Sequence, residues 1–145
     1  MRHKFLDTDA MIEEETGKSI ERIFAEKGEE YFRKLEKKIL LKTTTYNKVI
    51  VATGGGLPCF HENMSWMNEQ GITVFLEANE GLLFHRLASS RQGRPLIENL
   101  NDVGLMERIS RDLTERNPVY NLAAIKVNAA NFNLKSLMQK IEKLK

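Results

Sequence analysis

Apolar positions along this chain fall into two rhythms. Phe32, Leu35 and Ile39 recur at helical spacing and predict a helix over about 29–42 with one buried stripe. Residues 49–53, by contrast, form a compact, mostly β-branched run that ends in Gly54-Gly55-Gly56 and reads as a buried strand. Phe5-Leu6, ending at Asp7, reads as the tail of another strand, and 72–76 and 125–127 give two more. Between them the pattern predicts a helix over 10–16 capped by Asp9 and stopped by Gly17, and one over 20–27 capped by Ser19 and stopped by Gly28. Further helices are expected near 62–69, from the cap Asn79 to about 88, and from the cap Asp102 to just before Asn117-Pro118. A last one, capped by Asn133, turns Leu134, Leu137, Ile141 and Leu144 inward. Strands alternating with helices argue for an α/β layered fold with a mainly parallel sheet. Ligands in such sheets bind at the carboxyl ends of strands, where Asp7, Thr53 and the glycine triplet are expected to lie.

Composition narrows the class. The 145 residues, 41% hydrophobic and 29% charged, suit one soluble domain able to bury a real core. A net charge of +2 is too small for the basic excess of a nucleic-acid binder. One cysteine, Cys59, excludes an internal disulfide and fits a reducing cytoplasm. No apolar run approaches the roughly 20 residues of a membrane span, and Met1-Arg2-His3-Lys4 lacks the apolar core of a signal peptide.

The candidate chemistry is anionic and oxygen-based. Asp7 and Asp9 are hard ligands, suited to Mg²⁺ and to accepting a hydroxyl proton, although each could equally serve as a turn or cap residue. The triplet lets backbone approach a ligand and offers N–H groups to an anion, and Thr53 could hold a metal-bound water. Arg33 and Glu36 are neighbours on one helix face. They form either an exposed ion pair or an arginine held so that its fork meets a carboxylate. The polar segment 89–101, with Arg91 and Arg94 beside Gly93 and Pro95, is either a solvated loop or a mobile lid over phosphate. Arg116 either complements a helix C-terminus or points into a cleft. His3, His61 and His85 have no metal-ligand spacing, Cys59 has no evident base, and Trp66 and the methionines read as core or groove filling.

In order, these residues resemble shikimate kinase. The matching pieces are Phe5-Leu6-Asp7-Thr8-Asp9, Thr16-Gly17-Lys18 with Ser19-Ile20, Ile23-Phe24 with Gly28-Glu29, and Phe32-Arg33-Lys34-Leu35-Glu36. Ala52-Thr53-Gly54-Gly55-Gly56, Arg94-Pro95-Leu96 and Glu115-Arg116-Asn117-Pro118-Val119-Tyr120 complete the series. The resemblance implies a three-layer, parallel-sheet P-loop kinase fold of the nucleoside-monophosphate-kinase kind, one domain over 1–145, with an acceptor region at about 9–60 and a lid at about 89–101. It implies ATP-dependent phosphorylation of the 3-hydroxyl of shikimate, on the route to chorismate and aromatic amino acids, by a monomeric cytoplasmic enzyme. Asp9 matches the residue that binds the shikimate hydroxyls and acts as base, and Asp7 the one linked through water to Mg²⁺. Arg33 and Arg116 match the carboxylate clamp, Glu36 orients Arg33, and Gly54, Gly55 and Gly56 line the pocket. Arg94 matches the lid arginine that reaches the transferring phosphate, and Arg86 lies near the position of an adenine-stacking arginine.

One departure bears on activity. The family begins with a strand, a GxxxxGK[ST] loop and a helix, and these 145 residues contain no such loop. The expectation is that the family's central strand and phosphate cradle are missing, so that the chain alone binds ATP weakly or not at all and does not phosphorylate shikimate. The other readings are a non-catalytic remnant or binding protein that keeps an anion pocket, and a kinase of another small polyol acid.

Overall fold

The computed structural model describes residues His3 to Leu144. Its elements run β1 (Lys4–Asp7), α1 (Thr8–Thr16), α2 (Ile20–Lys42), β2 (Val49–Ala52), α3 (Asn63–Gln70) and β3 (Val74–Glu77). Then come α4 (Glu80–Ala88), α5 (Asp102–Tyr120), β4 (Ile125–Asn128) and α6 (Leu134–Glu142), with short 3₁₀ turns at Thr43–Thr45 and Leu57–Cys59. Strand pairing is parallel throughout. β1 pairs β2 with Phe5 opposite Ile50 and Asp7 opposite Ala52, and β3 pairs β4 with Leu76 opposite Val127. Parallel neighbours need long crossovers, which α1–α2 and α4–α5 supply. The expected α/β architecture is therefore present as two two-stranded ladders.

The chain divides into two compact units: the residues through Asn63 together with Gly93–Pro95, and Met64–Gln92 with everything from Leu96 onward. In the first, Ile12 from α1 and Ile23, Phe32 and Ile39 from α2 form the buried core, with Phe24 tilted on Phe32 at 4.7 Å between ring centroids. The helices expected over 20–27 and 29–42 are joined in α2 across a kink at Gly28, whose φ of 79° and ψ of 176° are open to glycine and strained for other residues. In the second unit Leu105 and Ile109 of α5 and Ile125 and Val127 of β4 are buried, and Phe75 of β3 meets Tyr120 at 4.9 Å.

Several local expectations are corrected. Asp7, not Asp9, caps α1: the chain passes straight from strand to helix, and Asp7 Oδ1 accepts from the Asp9 and Ala10 amides at 2.9 and 3.1 Å. Asn101, not Asp102, caps α5, because its Oδ1 accepts from the Gly104 amide at 2.7 Å while the Asp102 carboxylate pairs with Arg91. α5 also runs through Pro118 to Tyr120. A proline this close to a C-terminus removes one bond, while Asn121 N–H closes the final turn on the Asn117 carbonyl at 2.9 Å and Tyr120 gains its contact with Phe75. On α6, Leu137 and Ile141 are half-buried, but Leu134 and Leu144 are exposed. Their helical spacing puts them on one face, which does not decide whether anything covers it. Met106 and Met138 are exposed as well, unlike the buried Met64.

Candidate active site

The parallel register of β1 and β2 brings the two candidate strand ends side by side. Asp7 lies opposite Ala52, so Thr8-Asp9 and Thr53-Gly54 leave the sheet together. Because Asp7 does the capping, the Asp9 side chain is left for other work. Its Oδ1 is buried and accepts no hydrogen bond. A Cβ placed on Gly54 would stand 3.8 and 3.9 Å from the two Asp9 carboxylate oxygens and 3.9 Å from Glu36 Oε1. Gly54 thus keeps open a space bordered by two carboxylates.

The second cluster is built around Arg33. Residue 33 is 6% exposed and Glu36 2%, which removes the reading of a solvated surface pair. Arg33 Nη1 donates to Glu36 Oε2 and Nη2 to Glu29 Oε1, both at 2.8 Å. Phe60, just beyond the Leu57–Cys59 turn, covers one face of the guanidinium, with its ring centre 4.3 Å from Cζ. Gly56 lies against the guanidinium so closely that a Cβ there would overlap Nη1 and come within 2.8 Å of Cζ and Nη2. Close approach, rather than an unusual φ, is what requires glycine at this position. Nε is buried and donates to nothing, an omission that costs about 1–3 kcal/mol unless a ligand fills it.

Electrostatics follow from this packing. Burial, then the neighbouring charges of Asp7 and Glu13, push the Asp9 carboxyl above its ordinary 3.8, and Arg33 and Arg94 pull only part of the way back. Burial also raises Glu36, against the hydrogen bond from Arg33. For Arg33, burial disfavours the charge, but the bonds it donates to Glu36 and Glu29 outweigh it and raise its pKa. The result is a basic carboxylate next to a permanently charged fork.

Arg94 is exposed, yet Gly93–Pro95 cluster with the first unit while the rest of its loop belongs to the second. Its charge acts on Asp9. Arg116 lies in α5 of the second unit and pairs with Asp112 at 3.3 Å, a carboxylate that Arg108 also engages at 2.8 Å. Arg86 is exposed on α4. Gly55 is exposed, and its carbonyl lies 3.9 Å from Cys59 Sγ. Residues 89–101 form no helix or strand, and Arg91 ties the loop's ends by donating to the Leu100 carbonyl at 2.6 Å and pairing with Asp102.

Among the described residues no group of three or more His, Cys, Asp or Glu could hold a metal unaided. Mg²⁺ asks for less, since it keeps several waters and takes one or two carboxylates plus substrate phosphates. Asp7, exposed and with only Oδ1 in the cap, fits that demand, and the half-buried Thr53 follows its strand partner Ala52.

The shikimate kinase family model matches residues 1–145. The chain belongs to the shikimate kinase family. It is 44% identical over 123 residues to a shikimate kinase of Phocaeicola vulgatus, a match covering 85% of this chain and 70% of that one. It is 38% identical over 144 residues to one from Bacteroides thetaiotaomicron, covering 97% and 82%. Among solved structures, a Bacteroides thetaiotaomicron shikimate kinase matches with a TM-score of 0.83 at 36% identity, over 98% of this chain and 81% of that one. The Acinetobacter baumannii shikimate kinase in complex with shikimate gives 0.84 at 30% identity, over 98% and 78%. The fold is thus that of the shikimate kinases, a parallel α/β P-loop kinase fold, and no helix among the described residues is long and apolar enough to cross a membrane.

Three residues of this candidate site escaped the sequence reading as site residues. Glu29 reaches Arg33 by ordinary i,i+4 spacing on α2, a signal the sequence already carried, and Phe60 by the turn after Gly56. Thr8 is fully buried with its hydroxyl unpaired, hidden in sequence between two more conspicuous aspartates.

Proposed function

We propose that these residues bind shikimate and direct phosphorylation of its 3-hydroxyl, with ATP, the family's co-substrate, as phosphoryl donor. The observation that carries the reading is the buried, unpartnered Asp9 carboxylate oxygen beside the gap kept by Gly54, next to the Arg33 fork. Asp9 accepts the proton of the acceptor hydroxyl as that oxygen attacks the γ-phosphorus, and the bond to the ADP oxygen breaks. Its raised basicity suits it to that task. The Arg33 fork holds the shikimate carboxylate, Glu36 fixes the fork, and Gly54, Gly55 and Gly56 line the pocket. Arg94 meets the transferring phosphoryl group. Arg116 is read as a ligand of the acceptor carboxylate, on its match to the family's arginine, and Arg86 as a contact to adenine, on its place near the family's stacking arginine. Asp7 and Thr53 would hold the water shell of Mg²⁺, which when bound neutralises phosphate charge. A monomer in the cytoplasm is the state that the family resemblance and the single cysteine support.

These 145 residues contain no GxxxxGK[ST] phosphate cradle. Tested on their own, they should bind shikimate and release no ADP. The deciding experiment is a calorimetric titration of shikimate into the chain and into Arg33→Ala. Loss of a charge-assisted bidentate contact should weaken binding about tenfold or more. Equal affinities would remove Arg33 from the acceptor site.

A further inference from the structure

The Arg33 guanidinium is satisfied unevenly. One edge of the fork carries Nη1, which is committed to the buried Glu36 at 2.8 Å. On the other, Nη2 donates to Glu29 at 2.8 Å while Nε, also buried, has no partner. That second edge is the one a carboxylate takes with two parallel bonds, and here it is half-filled. The group filling it is itself a carboxylate, on a side chain 45% exposed, one helical turn before Arg33. Glu36, by contrast, is sealed in with a side chain 2% exposed, and Phe60 covers the flat face of the guanidinium.

We infer that Glu29 is an internal stand-in for the acceptor carboxylate: it occupies Nη2 in the empty site and must swing out to solvent when the acceptor engages Nε and Nη2 together. This rests on the reading of Arg33 as the acceptor's carboxylate ligand. Two features make the exchange feasible. The outgoing carboxylate is exposed and gives up one bond, whereas the incoming one makes two and satisfies a buried donor. The swap also preserves the charge balance at Arg33, so the guanidinium is never left buried without an anion. Glu29 therefore sets acceptor affinity and favours a carboxylate-bearing acceptor, because only a bidentate anion outcompetes it.

The test is equilibrium binding of shikimate and of its methyl ester to the chain as it stands and to four variants. Glu29→Gln should bind shikimate about two- to fivefold more tightly, the scale of one exposed ion pair, and leave ester affinity unchanged. Glu29→Asp, which keeps the charge but is too short to reach Nη2, should behave like Glu29→Gln. Arg33→Ala should reduce the preference for acid over ester, and Glu29→Gln added to Arg33→Ala should change nothing further. Unchanged or weaker shikimate binding by Glu29→Gln, or an equal gain for the ester, overturns the inference while leaving Arg33 in place. An acid-over-ester preference undiminished in Arg33→Ala, or no shikimate binding by the parent chain, overturns the acceptor reading beneath it.

Discussion

Asp9→Asn should make the protein more stable while removing its proposed base. The substitution keeps the shape of the side chain and cannot cost a helix cap, because Asp7 holds that role. What it removes is a charge whose Oδ1 is buried without a partner. Asn keeps an oxygen in the same place, so the gain comes only from relieving the desolvated charge and its repulsion by Asp7 and Glu13, about 1–2 kcal/mol for a residue only half-buried. Against this, a first-turn acid loses a helix-dipole contribution of roughly 0.3–1 kcal/mol. The net gain is about 1 kcal/mol, or about 3–4 °C in Tm for a chain of this size. Its pH dependence has a definite sign. The Asp9 pKa is raised above 3.8 in the folded protein, so folding is favoured by its protonation. The parent loses stability as pH rises from the unfolded value through the folded one. The advantage of Asn should be absent near pH 3, grow through that window and be complete at neutral pH. Thermal unfolding of both proteins from pH 3 to 7 measures it. In a form joined to the family's phosphate-loop segment, the same change should lower kcat by about 10²-fold or more, the scale of a lost general base. A lower Tm than the parent at pH 7, or a gain of equal size at pH 3, would refute the argument that Asp9 is held at a cost for function.

Gly54→Ala and Gly56→Ala should fail differently. A Cβ at 54 meets only ordinary contacts near 3.8 Å, so stability should hold within about 0.5 kcal/mol while shikimate binding falls as the gap beside Asp9 fills. A Cβ at 56 overlaps the clamped Arg33 guanidinium and should cost about 1–3 kcal/mol as well as binding; denaturant melts paired with calorimetry separate the two, and identical behaviour would refute the assignment. Gly28→Ala meets nothing within 4 Å but inherits φ 79° and ψ 176°, and should lose about 1–3 kcal/mol through backbone strain alone; an unchanged urea midpoint would contradict the kink. Arg91→Ala releases the contacts to the Leu100 carbonyl and Asp102, so amides within 92–100 should exchange faster while core amides of α5 do not; equal exchange would show that Arg91 does not fasten the loop.

Much of the fold was legible because its signals are local. A β-branched run ending in three glycines marks a strand end whatever surrounds it, and β2 ends at Ala52, one residue short of the expected boundary. Spacing also placed Arg33 and Glu36 on one helix face. Only packing could show that the pair is buried, which turns a weak surface bridge into a fixed fork. The two aspartates show the limit of sequence reasoning most sharply. Either could cap α1 by residue type, and the choice depends on the strand running into the helix without a loop, a feature that periodicity does not encode. Helix α6 shows it in another way: its leucines share a face, but burial depends on a partner surface that no spacing within the helix can specify.

The same contrast explains why the acceptor residues carry so many unmet demands. An ordinary core satisfies its buried polar atoms. Of the five buried unpartnered side-chain atoms among the described residues, Asn63 Oδ1 and Arg91 Nε lie elsewhere, while Asp9 Oδ1 borders Gly54, Arg33 Nε belongs to the guanidinium against Gly56, and Thr8 Oγ1 is on the residue before Asp9. Each of the last three is a group of the kind that a hydroxylated carboxylic acid would satisfy: an acceptor for a hydroxyl, a hydroxyl able to bond either way, and a donor for a carboxylate. Stability lost at three neighbouring positions is recoverable in a single binding event. Shikimate should therefore stabilise the first unit more than its affinity for any one of these residues suggests, and the contacts should prove non-additive in double-mutant cycles between Asp9 and Arg33.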